Sequence, residues 1–201
     1  PVDQETENIC RDSMRHFKNV GSKVEEIAID LENLEDTFLA LRSQEFVIDR
    51  ELQLQRYRDQ IKPDIIWNTE LGLEQSISTL AKAERARAAL YAQFNDLFSR
   101  YDLIVTPGAN TPAFDVELRF PEAINGIKLE HYMAASTLTA AVTISASPAL
   151  SLPCGFDQYG RPIGLQLIGR PRGEAALLAA GALFEVESGL AEQVPIDPRH
   201  G

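Results

Sequence analysis

The chain has 201 residues, 44% hydrophobic and 24% charged, a globular composition with material for one large domain or most of one. Its formal net charge of −11 argues against nucleic acid as a direct partner, because phosphate binding needs a positive surface, and it suits a soluble cytoplasmic protein. No run approaches the roughly 20 apolar residues of a membrane span, so no membrane partner is expected.

Residues 6–19, "TENICRDSMRHFKN", predict an amphipathic helix with Ile9, Met14 and Phe17 on its apolar face, ended by Gly21. "KVEEIAID" follows with Val24, Ile27 and Ile29 apolar and reads as a strand. A helix is predicted over 34–60 from Phe38, Leu41, Ile48 and Leu52, and Lys62-Pro63 breaks it. A second long helix is predicted over 73–99, with Gly72 near its start. Leu103-Ile104-Val105 is a continuous apolar run ended by proline, as in a strand buried on both faces. Residues 108–126 read as a long Pro/Asn/Gly loop, and 129–139 as helical. "TISASPALSLPCGF" and "RPIGLQLIG" predict two strands joined through "DQYG" as a hairpin. Ala175, Leu178, Ala179, Ala182, Leu183 and Val186 then give the apolar stripe of a closing helix. The whole is expected to be an α/β protein, a mixed β-sheet flanked by helices, with no linker dividing it.

Chemistry is harder to find. The histidines, His16, His131 and His200, have no partners at metal-ligand spacing, so no metal is expected. His131, beside Tyr132, reads as a surface or hydrogen-bonded histidine rather than a general base, and His200 sits in the tail. Ser78 and Lys82 stand four apart, a spacing open to a nucleophile and its base. The same spacing arises on any polar helix face, and a solvated surface is the better reading. Cys10 and Cys154 are far apart in sequence, form no metal or redox motif and read as reduced. "STLTAAVTISAS", over 136–147, interleaves hydroxyls with small apolar residues and reads equally as a pocket wall or as tight packing.

In order along the chain, "GSKVEEIAID", "LAKAERARAALYAQF", "YDLIVTP", "SPALSLPCGFDQYGRPIGLQLIGRP" and "EAALL" resemble the C-terminal half of amidase signature enzymes. The resemblance runs from about Val2 to Val186. It implies hydrolysis of a carboxylic amide by a Ser–Ser–Lys triad, with backbone amides as oxyanion donors and no cofactor. The Gly/Ser-rich signature and its upstream lysine, which belong to the family's N-terminal half, do not occur here. No catalytic residue is therefore carried over, and Lys18, Lys23, Lys62, Lys82 and Lys128 lie outside the lysine's context. The family often places an Asn shortly before Gly-x-Pro, where Thr143 and Ala146 stand here, and alanine at a glycine position puts that backbone in question.

These readings give a set of expectations. The chain begins Pro1-Val2-Asp3 without Met, so the native start and the catalytic N-terminal half are expected outside it. Residues 1–201 are expected to be a single incomplete α/β domain, inactive alone and self-associating. The substrate is a small-molecule amide, and Gly108, Tyr132, Met133, Ser136, Thr137 and Thr143 are expected to line its pocket. The rival readings are a non-catalytic scaffold or interaction subunit, and the glutamine-hydrolysing subunit of a transfer-RNA-dependent amidotransferase.

Overall fold

The computed structural model of the protein describes residues 1–190, and His200 lies outside them. The chain divides into two compact units, Pro1–Ala28 with Asn95–Gly201, and Ile29–Phe94. No helix among the described residues is long and apolar enough to cross a membrane.

The first unit opens on helix α1, Gln4–Asn19, capped by Asp3. Asp3 Oδ1 accepts from the Thr6 backbone N–H at 2.9 Å and from Thr6 Oγ1 at 3.1 Å, and so satisfies an N–H that the helix leaves unpaired. Thr6, Cys10, Ser13 and Phe17 form its buried stripe, and Gly21 ends it at φ +87°. The strand expected from "KVEEIAID" does not form. Val24 packs against the core of this unit, but the segment has no partner strand among the described residues, and apolar β-formers without a partner make no ladder.

Strand β1, Ile104–Pro107, follows. A short hairpin comes next, β2 at Ala123–Ile124 and β3 at Ile127–Lys128, turned by Asn125 and Gly126 at φ 50° and 78°. That is the left-handed pair an Asn-Gly two-residue turn favours, and it places structure where only a loop was expected. A 3₁₀ turn, Tyr132–Ser136, leads into helix α5, Thr137–Ser145. The helix expected over 129–139 thus lies further along the chain. Residues 143–145, expected as strand, are its last turn, and Ile144 and Ser145 are buried there together with Ala140, Ala141 and Val142.

Strands β4, Ala149–Phe156, and β5, Pro162–Ile168, form the expected hairpin, and β1 joins it in the order β1-β5-β4 with both pairings antiparallel. The core lies between this sheet, α1 and helix α6, Glu174–Ser188. It comprises Leu152, Cys154, Ile163, Leu165, Leu167, Cys10, Phe17, Leu177 and Phe184. Each large side chain buried there contributes on the order of 1.5–3 kcal/mol before ordering costs. The face of α6 differs from expectation. Leu177, Gly181 and Phe184 are buried, whereas Leu178, Leu183 and Val186 are 61%, 57% and 84% exposed. The helix is apolar on both sides, so periodicity alone does not say which side meets the sheet.

The second unit holds α2, Leu34–Tyr57, a 3₁₀ turn at Arg58–Gln60, α3, Pro63–Leu73, and most of α4, Ile77–Arg100. Pro63 opens α3 at the position where its missing N–H costs nothing, and Gly72 falls in the last turn of α3 rather than at the start of the next helix. A Cβ on Gly72 would run into the Ser43 carbonyl of α2, so glycine is what lets the two backbones touch. Ser43 and Val47 make the α2 side of that contact. Ile48 and Leu52, expected on the buried face, are exposed.

Candidate functional site

The site begins where β1 ends. The Gly108 N–H donates to the Gly164 carbonyl of β5 at 2.7 Å. A Cβ on Gly108 would lie 3.1 Å from that carbonyl oxygen and 3.3 Å from Ser151 Oγ, so glycine eases the close crossing of the chain over the strand. Below it, Thr106, Gln166 and Ser151 stand in register across the three strands, and Gln166 Nε2 donates to Thr106 Oγ1 at 3.2 Å.

Two asparagines pin the loop that follows. Asn110, 1% exposed, donates from Nδ2 to Thr137 Oγ1 and to the Pro1 carbonyl, both at 2.8 Å. Its own carbonyl accepts from the Asp3 N–H at 2.7 Å, and its Oδ1 is buried without a donor among the described residues. At the far end, Asn125 Nδ2 donates to the Val2 carbonyl at 2.6 Å and Oδ1 accepts from the Gln4 N–H at 3.3 Å. The hairpin turn adds a third tie. The Arg161 guanidinium donates to the Ala113 carbonyl and to Asp157, whose buried carboxylate also accepts from the Tyr159 and Arg161 N–H groups at 3.0 and 2.8 Å. Burial alone would raise the Asp157 pKa, and the donors from Arg161 and Tyr159 bring it below the usual carboxylate value.

The predicted pocket residues fall into three groups. Gly108 is bonded to Gly164 of β5, and Thr137 is bonded to Asn110, two residues further along the same loop. Tyr132, Met133 and Ser136, all half-buried, form the 3₁₀ turn that delivers Thr137. Thr143 is exposed near the end of α5, with its hydroxyl spent on the Thr139 carbonyl at 2.9 Å. Asn110 was missed by sequence reasoning; its signal was an amide in the middle of a Pro/Gly loop, where such side chains hold backbone. Ser78 and Lys82 are exposed on α4 with no bond between them. A cavity of about 180 Å3 in the second unit, between Asn33, Thr37, Ala89 and Gln93, holds none of the predicted residues. No group of three or more potential metal ligands occurs among the described residues.

The amidase family model matches residues 24–178. The chain belongs to the amidase signature family. Its structure is similar to a bacterial aryl acylamidase of that family, with a TM-score of 0.82 at 22% identity over 98% of this chain and 44% of the other. In sequence it is 27% identical to the A subunit of the glutamyl-tRNA(Gln) amidotransferase of Streptococcus thermophilus, over 97% of this chain and 44% of that protein. It is 34% identical to the corresponding protein of Levilactobacillus brevis over 84% of this chain and 31% of that protein. The chain thus spans less than half the length of the relatives it matches. At the position where amidases often carry glycine, Ala146 adopts φ 53° and caps α5, its N–H donating to the Thr143 carbonyl. An alanine holds this left-handed backbone at the cost a Cβ imposes there.

Proposed function

We propose that residues 1–201 are the C-terminal part of one larger α/β domain. The enzyme hydrolyses a carboxylic amide to an acid and ammonia or an amine. Its serine nucleophile, bridging serine and lysine base lie outside these residues. The observation that carries the reading is the family match over residues 24–178. Gly108, Tyr132, Met133, Ser136, Thr137 and Thr143 supply one wall of the acyl pocket. Glycine and neutral hydroxyls suit an uncharged amide, which needs close approach and hydrogen bonds rather than a counter-charge. The buried Oδ1 of Asn110, without a donor among the described residues, is an acceptor that the rest of the domain can satisfy. The exposed apolar face of α6 is likewise a surface for the rest of the domain to cover, or for a second copy in a homo-oligomer. No cofactor takes part, and the buried free thiols suit a cytoplasmic setting.

The test is ammonia or amine release by the full-length protein across a panel of simple amides, beside residues 1–201 alone. Turnover by the full-length protein and none by the isolated chain is expected, since removing nucleophile and base costs several orders of magnitude. Turnover by residues 1–201 that disappears on mutating a serine within 136–147 would place the nucleophile in this chain and end the proposal.

A second reading takes glutamine as the amide and partner proteins as the destination of the ammonia. The relatives in Streptococcus thermophilus and Levilactobacillus brevis, both components of a glutamyl-tRNA(Gln) amidotransferase, favour it. Glutamine hydrolysis that rises on adding the other components of such an enzyme supports it; broad amide turnover without them supports the first.

A further inference from the structure

The fold brings together two residues that the sequence keeps 144 positions apart: Cys10 Sγ of α1 and Cys154 Sγ of β4 are 3.7 Å from each other. They are 4% and 6% exposed, and both are free thiols. We propose that Cys10 and Cys154 are a peroxide-sensitive dithiol that closes reversibly to a disulfide, stapling α1 to the central hairpin.

Three local features build the pair. Cys154 is the extra residue of a β-bulge, since the pairing shifts between Pro153 and Gly155. A bulge releases a residue from the ladder and re-aims its side chain. The neighbouring Gly155 lets α1 come close, because a Cβ there would lie 2.8 Å from Ile9 Cγ2. The remaining contacts of the two sulfurs are weak: Cys10 Sγ lies 3.6 Å from the Gly164 carbonyl and Cys154 Sγ 3.4 Å from that of Ile163. A bond needs the sulfurs at roughly 2.05 Å, an approach that side-chain rotation and a small shift of α1 must supply.

The pair is polarised. The contact between the two sulfurs, in which either can be the donor, holds the Cys154 pKa below its ordinary value against the effect of burial, and Ser13 helps. Cys10 is pushed up by the same hydrogen bond and by burial. Cys154, which the bulge frees from the ladder, is taken as the attacking sulfur. As thiolate it attacks one oxygen of hydrogen peroxide, the O–O bond breaks, and the departing hydroxide takes a proton to become water. Cys10 then gives up its proton and attacks the Cys154 sulfenic sulfur, the S–O bond breaks, and a second water leaves. Two thiols lose two electrons in total and the peroxide gains them; a small dithiol reverses the change. Burial restricts the reaction to a small neutral oxidant and makes it slow.

The test takes the full-length protein, reduced and then exposed to hydrogen peroxide, alkylated, digested without reductant and mapped by mass spectrometry. A Cys10–Cys154 linked peptide is expected, growing as both alkylated peptides fall in equal measure and vanishing with dithiothreitol. The oxidised protein should melt at a higher temperature than the reduced one, since the bond closes a long loop of the unfolded chain, and Cys10→Ser should abolish that rise while leaving Cys154 trappable as a sulfenic acid. The idea is overturned if both cysteines stay fully alkylatable at peroxide doses that oxidise a free thiol peptide. Cys154 advancing to sulfinic acid without a link, or either residue linking elsewhere, overturns it equally. The wild-type map alone decides the matter should the variants not fold.

Discussion

Asn110 Nδ2 and Thr137 Oγ1 meet at 2.8 Å across 27 residues of sequence, so the loop after β1 and the start of α5 are held as one piece. Asn110→Ala removes that bond and the one to the Pro1 carbonyl, two part-buried hydrogen bonds, at a cost of about 1–3 kcal/mol in total. Thr137→Val breaks only the shared bond, so a double-mutant cycle should show a coupling on the order of 1 kcal/mol. Chemical denaturation of the four proteins measures it; strictly additive effects would mean the bond holds nothing together.

Ala146→Gly should stabilise the protein. Alanine at φ 53° bears a steric cost that glycine lacks, and relief of about 1 kcal/mol outweighs the extra freedom glycine gains when unfolded. A higher melting temperature is the expected readout.

Gly72→Ala and Gly181→Ala should differ, although both glycines are crowded. At Gly72 the new Cβ meets the Ser43 backbone, which cannot yield without separating α2 from α3; at Gly181 it meets the end of the Leu150 side chain, which can rotate. A loss of roughly 1–3 kcal/mol is expected for the first and a smaller one for the second, read from denaturant midpoints. Equal losses would contradict the packing described.

The pH dependence follows from Asp157. Its folded pKa lies below the unfolded value, so its contribution is fully present above the unfolded pKa, about 3.9, and is lost as pH falls through the folded one. Asp157→Asn should therefore lower the melting temperature clearly at neutral pH and progressively less as the pH falls below about 4. A deficit that does not shrink in acid would mean that charge is not what holds the turn.

How far the residues announced this structure depends on what each signal encodes. The hairpin was legible because Gly160 and its neighbours separate two apolar runs, and turn chemistry is local. Helix α6 was legible as a helix but not in its buried face, because Leu177 and Phe184 on one side and Leu178 and Leu183 on the other are equally apolar. Pro63 was read only as a stop, although proline also starts helices, and the Ile-Asn-Gly-Ile hairpin at 124–127 was a local signal overlooked. The segment 24–29 has apolar β-formers at Val24, Ile27 and Ile29, but pairing is a property of two segments. Asn110 carries a local signal as a loop amide, but its partner Thr137, like the pairing of Cys10 with Cys154, is fixed only when distant elements pack.

The pocket wall is the central claim, and enlarging Ser136 tests it most directly. Ser136→Leu in the full-length protein places bulk in the half-buried turn before α5 without removing a core contact. The kcat/KM values for a small and a bulky amide should be compared with those of the parent. The account predicts a ratio shifted about tenfold or more toward the small amide, with the melting temperature nearly unchanged. An unaltered substrate profile at full activity would contradict it.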